Sequence, residues 1–154
     1  PRTAKMMRPR YQDIESAAIP TVTTDDGLVT VRVIAGEALG ARAVIETITP
    51  IMYLHYTIQP GGEVSQRVKR DYNAFAYLVN GEGLFGAEGE EAEDGQMVMF
   101  APDGEEVTIR NSPDSGATLE LLLIAGVPLN EPVTRYGPFV MNTKEEILNA
   151  VEDY

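Results

Sequence analysis

His55 is the only histidine in the chain, so general acid–base chemistry near neutral pH would have to centre on it, with Tyr53 as its polar neighbour two residues away. The run Met52–Ile58 places His55 on its polar register, opposite Met52, Leu54 and Tyr56. On a barrel strand that register can face the cavity mouth. One imidazole without identified partners makes no site, and a solvated or hydrogen-bonded structural histidine is the plainer reading. Arg67, Lys69 and Arg70 form a cationic cluster suited to a carboxylate or phosphate, although such charge runs more often face water. Glu88, Glu90, Glu91, Glu93 and Asp94 supply carboxylates for a hard cation, but they lack the Asp/Asn spacing of an EF-hand loop, so a hairpin tip is expected there. Met97 and Met99 share one strand face, where core filling is expected rather than soft-metal ligation.

Composition removes several kinds of chemistry. The 154 residues contain no cysteine, which excludes disulfides, Cys-ligated zinc, iron–sulfur clusters and thiol catalysis. No apolar run approaches the roughly 18 residues of a membrane span, and no membrane association is expected. The formal net charge is −12, and it is unevenly spread. Arg2, Lys5, Arg8 and Arg10 cluster near Pro1 with no acid among them, so the rest is more acidic still and would repel a phosphate backbone. No direct nucleic-acid binding is expected. The start PRTAKMMRPR has no apolar signal-peptide core. Together with the missing cysteines, this makes a cytoplasmic location the expectation.

The elements that must position these side chains are short strands. Residues 1–14 read as an extended linker arm, because Pro1 and Pro9 bar regular pairing, and residues 15–154 read as one domain. From 29 to 125, period-2 runs at 29–33, 52–58, 73–80, 96–100, 106–110 and 117–125 are separated by Gly- or Pro-containing breaks at 60–62, 81–83, 86–95, 102–104 and 113–116. An antiparallel barrel or sandwich of about ten strands follows. Thr143 and Glu146 form a capping box that opens one closing helix, with Ile147, Ala150, Val151 and Tyr154 on one face. That face is expected to lie across an open end or edge of the barrel.

The glycine and proline spacing between 61 and 111 resembles the two motifs of metal-binding cupin barrels. Gly61, Arg67, Lys69, Ala74 and Gly81 fit the first frame, and Pro102, Gly104, Val107 and Asn111 fit the second. In that frame Arg67 and Lys69 stand where two histidine ligands would be, Ala74 where the glutamate would be and Val107 where the third histidine would be. Two cations, a methyl and an isopropyl group do not coordinate a divalent metal.

The stretch 125–154, with YGPFVMNT at 136–143, together with PRYQDI at 9–14, the Ala35-Gly36-Glu37 turn and the Thr49-Pro50-Ile51 step, resembles the C-terminal half of the pirin family. The resemblance implies an all-β, cupin-type antiparallel barrel, or double-stranded β-helix, with one C-terminal α-helix. It also implies a bicupin parent whose N-terminal cupin domain holds iron or another divalent metal, this chain carrying no cofactor and no catalytic residue. Family activities include quercetin 2,3-dioxygenation and binding to transcriptional regulators or metabolic enzymes. Tyr136, Gly137, Pro138, Phe139, Met141, Asn142 and Thr143 are then structural signature residues. Two readings follow: a structural and interaction module partnered with the N-terminal cupin domain, and able to self-associate through the face that domain would cover, or a stand-alone small-molecule binder or cofactor-free enzyme using the barrel cavity around His55.

Overall fold

The computed structural model describes residues 1–154, which group into two compact units, Tyr11–Pro128 and the pair of segments Pro1–Arg10 and Leu129–Tyr154. No helix is long and apolar enough to cross a membrane.

The larger unit is a cupin-type jelly roll of two main sheets. Its strands are β1 (Thr21–Thr23), β2 (Val29–Ala35), β3 (Glu37–Ala38), β4 (Ala41–Arg42), β5 (Ile51–Ile58), β6 (Glu63–Arg67), β7 (Asn73–Asn80), β8 (Glu82–Phe85), β9 (Glu90–Glu93), β10 (Met97–Phe100), β11 (Glu106–Arg110) and β12 (Leu119–Gly126). A six-stranded antiparallel sheet runs β1-β2-β5-β12-β7-β10, and a four-stranded sheet runs β6-β11-β8-β9, with β3 and β4 paired as a separate short ribbon. The acidic stretch is the β8–β9 hairpin, with its tip at 86–89 and its glutamates continuing into β9.

The alternation seen in the sequence becomes the inside and outside of this sandwich. Val29, Val31 and Val33, then Leu54, Tyr56 and Ile58, then Leu119, Leu121 and Leu123 are fully buried and meet Val64, Phe85, Val107 and Ile109 from the other sheet in one core. Each aliphatic side chain so buried contributes about 1.5–3 kcal/mol. Met97 and Met99 depart from expectation. They are 56% and 63% exposed, because β10 turns Val98 and Phe100 toward the core and presents its other face outward.

In the smaller unit, β13 (Thr134–Tyr136) and β14 (Phe139–Met141) form a hairpin, and α1 (Lys144–Asp153) packs against it. Thr143 caps α1 as expected: its hydroxyl accepts from Glu146 N–H at 3.2 Å while the Glu146 carboxylate accepts from Thr143 N–H at 2.9 Å. Residues 2–4 of the expected extended arm instead form a single 3-10 turn.

Gly81, between β7 and β8, has φ +81°, and a Cβ there would lie 2.6 Å from the Thr118 carbonyl oxygen. Gly81→Ala is therefore expected to cost about 2 kcal/mol or more, read as a lower urea midpoint with an unchanged m-value.

Candidate functional site

Strand β6 decides what the sandwich interior holds. Its inward side chains are Val64 and Gln66, followed by buried Val68, while Glu63, Ser65 and Arg67 are exposed. Arg67 and Lys69, placed by the motif frame at two ligand positions, therefore do not enter the interior; the inward residues lie one position earlier. A one-residue slip exchanges the two faces of a strand, which is why counting from Gly61 alone put cations inside. Arg67 pairs across from Glu106, Lys69 sets its ammonium 5.6 Å from the Tyr72 ring centroid, and Arg70 lies 3.6 Å from a Glu105 oxygen. Ala74 and Val107 are buried, and Val107 stands directly opposite Gln66.

The polar content of the interior here is a closed pair. Tyr56 O–H donates to Gln66 Oε1 at 2.7 Å, and Gln66 Nε2 donates to the carbonyls of Arg67 at 2.9 Å and Glu37 at 3.4 Å. Burial pushes the Tyr56 phenol well above its ordinary value, so it stays protonated and remains a donor. A divalent cation does not fit this set: the amide oxygen is already engaged, the phenol is neutral, and Val68, Ala74 and Val107 offer only hydrocarbon. No three His, Cys, Asp or Glu side chains group together as a ligand set anywhere in the chain. Tyr56 and Gln66 were missed in the sequence, where the signal was an amide in an otherwise apolar inward series, Val64-Gln66-Val68.

Asn111 retains its motif position for a structural reason. It is 1% exposed, its amide donates to the carbonyls of Ile58 at 2.9 Å and Ala117 at 3.0 Å, and its own backbone bonds both Gly61 and Gly62. It staples three chain segments.

His55 and Tyr53 point out of the sandwich, so a cavity site around them is not what the structure builds: β5 sends Leu54 and Tyr56 inward instead. His55 Nε2 lies 3.9 Å from Glu120 Oε2, with Arg32 across from it donating to Ser16 Oγ at 2.7 Å. This outer face is nevertheless distinctive. One cross-strand row reads Arg32, His55, Leu122, Tyr77, Met97, and the next reads Tyr53, Ile124, Phe75, Met99. The outer face of the four-stranded sheet is polar by contrast, with Ser65 and Thr108 hydroxyls 3.2 Å apart and Arg67 beside Glu106. Along β8 and β9 a groove of about 470 Å³ is lined by Glu82, Glu91, Glu93, Gln96 and Ser112.

The signature block organises the smaller unit. Gly137, at φ +54°, and Pro138 make the β13–β14 turn, Tyr136 is exposed, Met141 is half-buried, and Phe139 meets Tyr154 edge-on at 5.8 Å. Asn142 donates through its amide to the Pro132 carbonyl at 2.8 Å and Glu131 Oε2 at 3.2 Å. Arg2 joins this network: its backbone N–H reaches both Glu131 oxygens, at 3.0 and 2.8 Å, and its guanidinium lies 3.0 Å from Glu146 Oε1. Desolvation alone would raise the Glu146 pKa, but the Asn142 and Thr143 N–H groups and Arg2 hold it below the usual carboxylate range.

Residues 53–154 match the family model described as the pirin C-terminal cupin domain. The chain belongs to the pirin family. Among its pirin relatives, a pirin-like protein of Solanum lycopersicum is 42% identical over 97% of this chain and 50% of that protein, and the pirin of Homo sapiens is 37% identical over 97% and 51%. Among solved structures, a quercetin 2,3-dioxygenase from Acinetobacter baumannii superposes with a TM-score of 0.87 at 30% identity, over 99% of this chain and 51% of that one. The chain thus spans about half the length of the curated pirin relatives it matches.

Tyr56→Phe is expected to lower stability by about 1–3 kcal/mol by stranding the Gln66 oxygen, and adding Gln66→Leu should recover much of that loss. The folded protein keeps Tyr56 protonated after an unfolded tyrosine ionises. Stability is therefore expected to fall as pH rises through about 10, and Tyr56→Phe should flatten that part of a urea-midpoint profile.

Proposed function

We propose that this chain is the metal-free half of a two-cupin pirin protein, a structural and protein-interaction module partnered with a metal-binding cupin half that precedes it in the polypeptide. The observation that carries this reading is the interior, where the Tyr56–Gln66 pair, Val68, Ala74 and Val107 occupy the inward positions without a ligand set. Supporting it, the chain accounts for about half the length of the pirin relatives from Solanum lycopersicum and Homo sapiens, and the outer face of its six-stranded sheet sets Leu122, Tyr77 and Met97 beside Ile124, Phe75 and Met99. Exposed contiguous apolar surface of this kind suits association.

In this reading the preceding half holds iron or another divalent metal and does the chemistry. The name of the Acinetobacter relative suggests quercetin 2,3-dioxygenation for it, and binding to regulatory proteins or enzymes would use the surfaces of both halves. The residues of this chain hold the sandwich in shape and present its outer surfaces. A cysteine-free chain makes no demand on an oxidising compartment, in keeping with the cytoplasmic location we assign.

The test is metal content and turnover. The 154-residue chain, incubated with Fe²⁺, Cu²⁺, Mn²⁺ or Ni²⁺ and desalted, is expected to retain no stoichiometric metal and to leave quercetin at the background rate. The full-length polypeptide is expected to show metal-dependent oxygen uptake. Stoichiometric metal in the chain, accompanied by quercetin oxidation, overturns the reading.

A further inference from the structure

We propose that the free edge of β10 takes up, as an added strand, an extended segment of a partner protein that is apolar at its centre and basic at both ends, an inference that rests on the interaction-module reading above. The two main sheets end at β1 and β10 and at β6 and β9. An open edge can pair with any strand that reaches it unless charge, proline or shortness guards it. Here β1 is the shortest of the four and follows Pro20 directly, β6 carries Glu63 and Arg67, and β9 carries Glu90, Glu91 and Glu93. Strand β10 lacks such guards: from Gln96 to Ala101 it holds no charge and no proline.

The backbone of this edge is open where its side chains are exposed. The Gln96 carbonyl accepts from the Leu78 N–H, and the antiparallel register continues with Val98 opposite Ala76 and Phe100 opposite Ala74. Alternation then turns the N–H and C=O groups of Met97 and Met99 away from β7, toward the free side. On the outer face both methionine side chains are exposed, and on the inner face Val98 and Phe100 are only partly buried, the Phe100 ring lying 6.4 Å from that of Phe85. A strand laid against β10 therefore meets unpaired backbone groups and covers apolar side chains on both faces.

Charge decides the occupant. Exposed Glu93 and Asp94 stand just before the strand and exposed Asp103 just after it, so both ends of the edge are negative. A second copy pairing β10 with β10 in the antiparallel sense would bring Glu93 and Asp94 of one chain beside Asp103 of the other, between two bodies that each carry a formal net charge of −12. A segment with lysine or arginine at both ends reverses that repulsion, and it does so in either strand direction.

Hydrogen exchange on the full-length polypeptide and on the 154-residue chain tests this, with a synthetic peptide of alternating valine and threonine between paired lysines as the probe. With peptide in excess, the Met97 and Met99 amides are expected to exchange about tenfold more slowly in both proteins, and binding read by fluorescence anisotropy should weaken as salt rises. The same peptide with glutamates in place of the lysines should leave those amides unchanged. Met97→Lys with Met99→Lys supplies the missing guard and should abolish the slowing at an unchanged melting temperature, since both side chains are exposed. Met99→Pro, which removes one outward N–H, is a second variant and should weaken binding about tenfold. Slowing at 21–23 or 90–93 instead, or no slowing, overturns the proposal. Met97 and Met99 amides that are as slow in the full-length polypeptide without peptide as with it assign the edge to the rest of that polypeptide, and slowing that grows with the concentration of the short chain alone assigns it to a second copy; either result also overturns it. Metal bound by the short chain would sink the functional reading without altering these exchange rates, so the two failures are distinguishable.

Discussion

The pairing of β12 with both β5 and β7 is the constraint on which the larger unit turns. Leu121 and Leu123 face the core while Leu122 and Ile124 face out, and the same register sets Leu54 and Tyr56 against His55 and Tyr53, and Leu78 and Ala76 against Tyr77 and Phe75. Because the period is two, one slipped residue would exchange a leucine core for an outer face of mixed character. The interior and the outer surface are two consequences of a single register.

That register also explains why motif glycines and Asn111 persist without metal ligands. Gly61 and Asn111 are bonded backbone to backbone, and the Asn111 amide ties β5 to the loop before β12. None of these contacts involves the Tyr56 or Gln66 side chain. A spacing motif can outlive its chemistry because the turn residues serve the turns.

Much of the fold was legible in the sequence. The alternation at 29–33 and 52–58, the breaks, and the Thr143–Glu146 capping box are local signals, and the structure carries them through. Less was legible where both faces are apolar or partners lie far apart. Met97-Val98-Met99-Phe100 reads the same whichever pair points inward, so only the β7 pairing decides that the methionines face out. At 63–68 the inward Gln66 breaks the apolar series that would announce the register, and a frame counted from Gly61 alone falls one residue off. The family block at 136–143 was recognisable, but the bond from Arg2 to Glu146 spans a sequence separation of 144 and leaves no local trace.

The double use of Glu146 has a consequence for biosynthesis. Translation proceeds from the amino end, so Arg2 exists in the growing chain long before Glu131, Asn142 and Glu146 are made. The jelly roll at 11–128 has all its strands once residue 126 has left the ribosome, and it can collapse while the tail is still being added. The segment 1–10 has to wait for the last stretch of synthesis before its carboxylate partners arrive. A ribosome stalled before residue 131 would therefore leave a finished sandwich whose segment 1–10 lacks both of these anchors, with Arg2, Lys5 and Arg8 open to proteases that cut after lysine and arginine.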